Sequence, residues 1–339
     1  MQGPRRKWAL IVTVGFLTIA FLIFNKNHSG SRDNLGELGV SSESSRPLIN
    51  THDKPITRFV ERLGSLDDSH SVVHQQAKGP IYADVKAIDW GKTAMNKLSL
   101  SQIIDYLLWT NQSSCQIAQY FGGQMVTSAD GRSTVAMDGQ KAVCLDSAIA
   151  PNPDRCLVYS FGISNEWSFD DAMELYGCQI FSFDPSMNVS NPNRTETIHF
   201  YQMALDDVDK DEWNNDPNVT SRTLFSIYNM LKPLHGGVVI DYLKMDIEAT
   251  EWRVLPQMIE SGMMDRVRQL AVEIHLDFDK SLSIYRHQAG IIQSLENYGM
   301  IRFDSKKNMF TMVDFNQVEH LAAAVDYEIA WYNGKLLRV

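Results

Sequence analysis

Short apolar runs alternate with helical patterns from about residue 150 to the end of the chain. The runs that predict strands are 157–161, 179–183, 198–203, 237–245, 269–275, 300–304 and 326–332. The spans in which apolar residues recur at helical spacing are 168–176, 221–231, 250–261 and 284–298. Strands that alternate with helices predict parallel βαβ units with helices on both faces of one sheet. The expected fold class is therefore α/β.

A different pattern precedes this region. Ser99 is an N-cap residue before apolar positions at helical spacing, which predicts a helix. Gly-Gly and Asp-Gly turns then divide residues 121–146 into short extended pieces, which predicts a hairpin. We expect 81–150 to form an N-terminal cap segment on a domain at 151–339.

The N-terminal region predicts a membrane anchor. Trp8–Phe24 contains no charged residue and follows the basic residues Arg5, Arg6 and Lys7. Its length is at the short end of what crosses a bilayer, and the basic flank favours the cytoplasmic side. The pattern predicts a cytoplasmic tail at 1–7, a transmembrane signal anchor at 8–24 and a flexible stem at 25–80. The alternative is a cleaved secretory signal, which would make the protein secreted.

Other features agree with a lumenal domain of a type II membrane protein in the Golgi or another secretory-pathway membrane. Sequons for N-glycosylation occur at Asn27, Asn111, Asn188, Asn193 and Asn218. The four cysteines, Cys115, Cys144, Cys156 and Cys178, leave three disulfide pairings open, with buried free thiols as the alternative. Cys156 and Cys178 precede the first two strands, so we expect them to be neighbours. The net charge of −10 argues against nucleic acid as a partner.

Candidate cofactor residues follow the first three strands, because ligands of parallel sheets bind beyond the carboxyl ends of strands. Gly162 permits a tight turn after the first strand, and a helix N-terminus capped by Ser168 offers N–H groups to a carboxylate. Asp184 follows the second strand, where an acid can accept hydrogen bonds from ribose hydroxyls. Asp206 follows the third and is a candidate for an adenine amino group.

Candidate catalytic residues end the next two strands. If the two strands are neighbours, Lys244 is expected to pair with Glu273, and Asp246 to lie beside His275. A histidine with an orienting acid is typical of a general base, so His275 and Asp246 are the predicted catalytic residues. A metal site formed by these two residues, with Asp277 as a third ligand, is the less favoured reading.

Four stretches resemble a known family. LVYSFGISNEWSFDDAM, FSFDPS, LKMDIEATEW and EIH are similar to the methyltransferase-like protein 24 type of Rossmann-like S-adenosylmethionine methyltransferases. LKMDIEATEW is also similar to the LKIDVEGxE stretch of FkbM-type O-methyltransferases. The chain departs from the usual pattern in two places: the 161–166 loop lacks the second and third glycines, and Ala249 replaces the glycine of DVEG.

The resemblance implies a seven-stranded, mostly parallel sheet whose last strand is antiparallel. It also implies S-adenosylmethionine bound over the loop that contains Phe161, Gly162, Ile163 and Ser164, with Asp184 on the ribose. The expected activity is methyl transfer, with O-methylation of a secretory-pathway glycan or protein as the specific prediction.

Two rival functions remain open at this stage. Asp207 and Asp209 form a D-x-D pattern of the kind that binds a metal in a lumenal glycosyltransferase. A non-catalytic binding module on the same fold is the other alternative, and the missing glycines are its argument. An open cleft beside Asp184 favours the enzyme, whereas a filled one favours the module.

Overall fold

A computed structural model describes residues 89–338, apart from 112, 128–134, 278–279 and 316–320. The predicted tail, anchor and stem at 1–7, 8–24 and 25–80 lie outside the described residues and stay predictions. Of the helices within the described residues, none has the length and apolar content needed to cross a membrane.

The predicted alternation of strands and helices is present. The main helices are α1 (Leu100–Leu108), α2 (Ser168–Tyr176), α3 (Leu224–His235), α4 (Glu251–Glu260) and α5 (Leu282–Tyr298). The strands are β1 (Ala118–Phe121), β2 (Gln124–Thr127), β3 (Val135–Asp138), β4 (Lys141–Cys144), β5 (Cys156–Phe161), β6 (Cys178–Phe183), β7 (Ile198–Tyr201), β8 (Met203–Leu205), β9 (Thr220–Arg222), β10 (Ile240–Met245), β11 (Val267–His275), β12 (Met300–Lys307), β13 (Met312–Phe315), β14 (Leu321–Ala324) and β15 (Asp326–Asn333).

Seven strands form the central sheet, in the order β12-β15-β11-β10-β5-β6-β7. The five strands from β11 to β7 pair in parallel, and β15 is antiparallel to both of its neighbours. This confirms the expected seven-stranded, mostly parallel sheet with an antiparallel last strand. The chain runs from β5 to β6 and β7 on one side and returns to β10 on the other. The switch point between β5 and β10 is where such sheets bind ligands.

The two faces of the sheet are covered differently. Side chains of one face, including Leu243, Leu270 and Trp331, share a core with α1, α3, α4 and α5. Side chains of the other face, including Tyr242 and Ala271, share a core with α2 and the cap strand β4. Helices therefore lie on both faces, as predicted, but the second face is completed by the cap segment.

The cap strand β4 is fixed to the sheet by buried hydrogen bonds. The Gln269 side chain accepts from the N–H of Cys144 and donates to its carbonyl, both at 2.8 Å. The Tyr242 hydroxyl donates to the carbonyl of Ala142 at 2.6 Å. A Cys115–Cys144 disulfide anchors the end of the strand. The start of β4, which is Lys141, is thereby held over the sheet.

The second disulfide joins the starts of β5 and β6. Cys156 and Cys178 are bonded and are register partners in the parallel pair. The expected proximity is confirmed, and the alternative of buried free thiols is wrong. Three sequon residues of the described part, Asn188, Asn193 and Asn218, are exposed, as a glycan acceptor must be.

Helix boundaries were least accurate where a polar residue starts a helix. Helix α3 begins at Leu224 instead of 221, because the Thr223 side chain caps the N–H of Ser226 and residues 220–222 pair with β8. The β13–β14 hairpin was not predicted. Ser99 caps α1 as expected and forms a reciprocal capping box with Gln102.

Candidate functional site

The loop after β5 is packed against the end of β10. Gly162 has a φ of +77°, and a Cβ atom there would lie 1.7 Å from the carbonyl oxygen of Asp246. No side chain fits in that space. The glycine is thus required by a neighbouring strand's backbone, whereas the sequence analysis had expected the close approach of a ligand.

Asp184 holds this loop by direct hydrogen bonds. Its Oδ2 accepts from the N–H groups of Ile163 at 2.9 Å and Ser164 at 2.8 Å. Its Oδ1 accepts from Ser186 through the backbone N–H at 2.8 Å and the hydroxyl at 2.6 Å. A carboxylate has about four acceptor positions, so this one is fully engaged. The side chain is also buried, which leaves no acceptor facing a ribose.

The N-terminus of α2 is engaged in the same way. Trp167 is the N-cap residue and makes no side-chain cap, so the predicted cap by Ser168 is wrong. Glu166 instead accepts from the N–H of Ser168 at 2.9 Å. The Ser168 hydroxyl accepts from the N–H of Gly123, in a cap turn packed closely on this first helical turn. A carboxylate of the chain itself thus occupies the predicted anion site.

The remaining N–H groups of the loop also have partners. Gly162 donates to the carbonyl of Phe183, and Asn165 donates to the Met187 sulfur at 3.3 Å. Met187 packs with Ile163 and Phe200 in a small apolar cluster beside Asp184. The residues predicted to hold S-adenosylmethionine are brought together, but they are bonded to one another. In this arrangement a nucleoside would have to compete with these internal hydrogen bonds.

Asp206 is engaged as well. Its Oδ1 lies 2.8 Å from the guanidinium of Arg253, and its Oδ2 lies 3.5 Å from Lys210 Nζ. Burial raises the pKa of Asp206, but the N–H of Asp207 and these cations outweigh it and lower the pKa overall. The predicted adenine contact is therefore an ion pair between the end of β8 and α4.

The D-x-D pattern does not form a metal site among the described residues. Asp209 accepts from the N–H of Thr223 at 2.7 Å and from the Ser226 hydroxyl at 2.6 Å, so it holds the N-cap residue of α3 in place. Asp207 lies 3.7 Å from the guanidinium of Arg253. Both carboxylates have partners within the protein, so neither is free to bind the metal ion that the glycosyltransferase alternative requires.

The neighbouring ends of β10, β11 and β15 carry a cluster of carboxylates around one buried lysine. Lys141 Nζ contacts Glu328 Oε1 and lies 3.6 Å from Glu273 Oε2 and 3.9 Å from Asp246 Oδ2. The predicted Lys244–Glu273 pair is therefore wrong, because Lys141 from the cap is the cation beside Glu273. Lys244 donates to the carbonyl oxygens of Phe161 and Gly162.

Lys141 was not predicted as a site residue. Its position in a short strand flanked by turns is only a weak indication of a role. A polar residue opening the apolar run Lys141–Cys144 was the available signal, because a lysine on a buried strand needs a partner.

His275 is beside Asp246, as predicted, but is held as a cation. Its Nδ1 lies 3.0 Å from Glu251 Oε1, and its Nε2 lies 3.7 Å from Asp246 Oδ1. Burial lowers the pKa of His275, but the hydrogen bond and charge of Glu251, followed by Asp246, outweigh it and raise the pKa to about 10. An imidazolium cannot accept a proton, so His275 does not fit the predicted base role.

Asp246 has the opposite character. Burial raises its pKa to about 7, with the Lys141 charge opposing that rise. Its side chain is 29% exposed, whereas those of Glu273, Glu328 and Glu251 are 10% exposed or less. Asp246 is thus the most exposed acid of the cluster, and its raised pKa brings its ionisation closer to neutral pH than that of an ordinary aspartate.

The metal reading fits poorly with this arrangement. Ligand atoms of Asp246, Glu273 and His275 lie within 4.8 Å of one another, and Asp277 is outside the group. A metal requires a neutral imidazole, however, and Glu251, 3.0 Å from Nδ1, favours the protonated form of His275. Lys141 already supplies a positive charge at the two carboxylates.

Both loops at the switch point carry left-handed backbone at residues other than glycine. Ser164 and Asn165 have φ of 47° and 62°, and Glu248 and Ala249 have φ of 54° and 66°. Ala249 thus adopts the conformation that the glycine of the resembling stretch would adopt without strain. Backbone strain of this kind concentrates at functional sites.

A cleft of about 500 Å³ opens beside the carboxylate cluster. Its walls come from α1, from β3 and the turn after it, and from the end of β12. Glu328 lines it, and Asn308, also in its wall, donates to Glu273 Oε1 at 3.0 Å. The cleft therefore borders the cluster at Glu328 and Glu273.

Replacing Asp184 tests its grip on the loop. An amide has one acceptor oxygen, so Asp184→Asn cannot serve both the loop and Ser186. We expect a loss of about 1–3 kcal/mol in the free energy of unfolding, measured with urea. Asp216→Asn, which replaces an exposed aspartate that accepts hydrogen bonds from Asn218 in a turn, is the control. An Asp184→Asn loss no larger than that of the control would show that these bonds do not hold the loop.

The raised pKa of His275 makes stability depend on pH. A histidine whose folded pKa exceeds its unfolded value of about 6.5 stabilises fully below that value, and the benefit is lost toward pH 10. The stability advantage of the wild type over His275→Asn should shrink above pH 6.5, by up to about 1.4 kcal/mol per pH unit. Urea unfolding between pH 6 and 9.5 measures this, with the replacement of an exposed histidine of α5, His287→Asn, as the control. An advantage that stays constant would contradict the ion pair.

Comparison with known proteins places the chain. A family model described as "Methyltransferase domain" matches residues 74–322. "Probable methyltransferase-like protein 24" of Rattus norvegicus is 26% identical over 242 residues, which cover 66% of each chain. The Homo sapiens protein of the same name is 27% identical over 205 residues, covering 57% of this chain and 55% of that one. The chain thus aligns with somewhat less than two thirds of the length of these relatives.

A solved structure titled "A putative sam-dependent methyltransferase from Streptococcus mutans" is 9% identical and covers 56% of this chain and 46% of that one. The TM-score of this pair is 0.31. The family match spans well over half of the sequence. The chain belongs to this methyltransferase domain family.

Proposed function

We propose that the protein transfers a methyl group to a hydroxyl, with Asp246 as the proton acceptor. The observation that carries this proposal is the state of Asp246: a partly exposed acid at the switch point whose pKa is raised to about 7. A base is most effective when its pKa is close to the working pH. Asp246 meets that condition and His275 does not.

The surrounding residues would support this role. Protonated Asp246 is neutral, and its ionised form lies between the cations Lys141 and His275. Glu251 fixes the imidazolium through Nδ1, which leaves Nε2 directed toward Asp246. An acceptor hydroxyl next to Asp246 would lose its proton to a carboxylate whose environment is already organised for both charge states.

S-adenosylmethionine is the methyl donor that the family implies. Bound ribose hydroxyls would compete with the N–H groups of Ile163 and Ser164 for Asp184. We therefore expect a cofactor affinity lower than that of a site with a free carboxylate. Cofactor binding would have to break the hydrogen bonds between Asp184 and the loop, and their loss would reduce the net binding free energy.

A secretory-pathway glycan or protein is the acceptor class we propose. Support comes from two disulfides, which form in oxidising compartments, and from the exposed sequons Asn188, Asn193 and Asn218. The predicted lumenal orientation belongs to this proposal. The 500 Å³ cleft beside Glu328 is large enough for a small acceptor group.

One observation favours a second candidate, a non-catalytic module of the same family. Asp184 and the N-terminus of α2 are both satisfied by groups of the chain itself. An open cleft beside Asp184 was the feature expected of an enzyme. The apolar cluster of Ile163, Met187 and Phe200 lies there instead. This candidate differs from the first in that it binds no S-adenosyl nucleoside.

Calorimetry and radiolabel transfer together test the proposal. S-adenosylhomocysteine is titrated into the full chain, and tritiated S-adenosylmethionine is supplied with a pool of secretory glycans and glycoproteins. We expect nucleoside binding and label transfer. Asp246→Asn should keep binding within a few-fold but reduce transfer about 100-fold or more, because a general base contributes that much.

Asp265→Asn, which replaces an exposed acid just before the start of β11, at the opposite end of that strand from His275, controls for loss of a surface charge. If transfer by Asp246→Asn equals that of the wild type, Asp246 is not the base. If the wild type binds no S-adenosylhomocysteine, the non-catalytic candidate replaces the first.

A further inference from the structure

The Lys141 ammonium lies in the protein interior, surrounded by carboxylates. Its side chain is fully buried, and three carboxylates from three different strands face it. An ammonium has three donor hydrogens and no acceptor, so three carboxylates match it in the number of hydrogen bonds that it can donate. A buried lysine without such partners would be strongly destabilising.

These carboxylates would repel one another without a cation. Burial lowers the pKa of Lys141, but Glu328, Asp246 and Glu273 outweigh it and raise the pKa, so the side chain stays charged at physiological pH. Burial raises the pKa of Glu273, but the Lys141 charge outweighs it and lowers the pKa to about 2. At least one carboxylate of the cluster is therefore ionised because the lysine is there.

The same atoms have the spacing of a metal site. Asp246, Glu273 and His275 offer oxygen and nitrogen atoms within 4.8 Å of one another, as hard divalent cations require. Lys141 Nζ lies within 3.9 Å of both carboxylates. A divalent ion at ligand distances of about 2.0–2.6 Å from those oxygens would lie against the ammonium. The two cations exclude each other.

Lys141 belongs to the cap segment and not to the central sheet. It opens β4, and β4 is bonded to the sheet through Gln269 and Tyr242. Its position is therefore set by the cap segment and does not depend on a flexible surface side chain. Because the strand that carries it is hydrogen-bonded to the sheet, Lys141 differs from a counterion that enters from solvent.

We propose that Lys141 is the resident cation of the Asp246–Glu273–Glu328 cluster and takes the place of a divalent metal ion there. Lys141 is thus a positioning residue, which acts on the reaction through Asp246. The proposal rests on the proposed function only in that last respect, because the exclusion of metal follows from the geometry alone. The site then works without added metal.

Manganese binding to the full chain tests this inference. Lys141→Ala removes the ammonium and leaves three carboxylates around a cavity, so it should acquire one Mn²⁺ site with an affinity at least tenfold above that of the wild type. Electron paramagnetic resonance of Mn²⁺ measures the bound fraction, and thermal unfolding with and without MnCl₂ measures the stabilisation. Glu273→Gln added to Lys141→Ala should abolish the gain.

Two variants separate this effect from simple loss of a lysine. Lys141→Arg keeps a cation in the cluster and should bind no more Mn²⁺ than the wild type. Lys244→Ala removes another buried lysine of the same edge, whose hydrogen bonds go to backbone carbonyls, and it should not gain a site. If Lys141→Ala gains no more than Lys244→Ala, the proposal is wrong.

A stoichiometric Mn²⁺ site in the wild type that Glu273→Gln abolishes would equally overturn it. If Lys141→Ala does not fold alone, refolding yield replaces affinity: MnCl₂ should raise the yield of Lys141→Ala and not that of Lys244→Ala, and equal yields overturn the proposal. None of these measurements uses methyl transfer. A failure here therefore leaves the role of Asp246 to its own test, and a failure of methyl transfer leaves the metal result unaffected.

Discussion

One buried ion cluster links the cap segment, the sheet and the chemistry of this protein. Lys141 is the only residue of the cluster that comes from outside the central sheet, and its partners come from β10, β11 and β15. Removing one member of this cluster would be strongly destabilising, because it would leave a buried charge uncompensated. The cap therefore contributes to the site as well as covering it. The acidity of Asp246 depends on how far the Lys141 charge offsets burial.

The cofactor side of the same edge is governed by hydrogen-bond saturation. Asp184 and Glu166 satisfy N–H groups that a bound nucleoside and carboxylate would otherwise satisfy. Buried polar groups need partners, and these two carboxylates supply partners from within the chain. The left-handed residues Ser164 and Ala249 lie in the loops that flank the switch point. Strain and saturation together describe two loops held in one conformation by their own contacts.

The sequence predicted the fold well because its strongest patterns are local. Apolar runs and helical spacing located all seven strands of the central sheet, and the range 168–176 matches α2 at both ends. The position of Asp184 beside the loop followed from parallel-strand topology, as did the neighbouring ends of β10 and β11. These are consequences of periodicity and of the strand order that the resemblance implied.

The site's chemistry was less predictable because it depends on contacts between distant residues. Lys141 is about a hundred residues from Asp246, and only the packing of β4 on the sheet brings the two together. The raised pKa of His275 depends on Glu251, which is fully buried against the imidazole. The bonds that fill Asp184 involve backbone N–H groups, which leave no trace in the sequence.

The ionisation of Asp246 is the most direct test of the account. Carbon-13 NMR of aspartate carboxyl groups, with Asp246 assigned from the Asp246→Asn spectrum, would follow its titration in the intact chain. The account predicts a midpoint close to pH 7. A midpoint near the ordinary aspartate value of about 3.9 would contradict it, because Asp246 would then be a permanently charged member of the cluster and a poor proton acceptor.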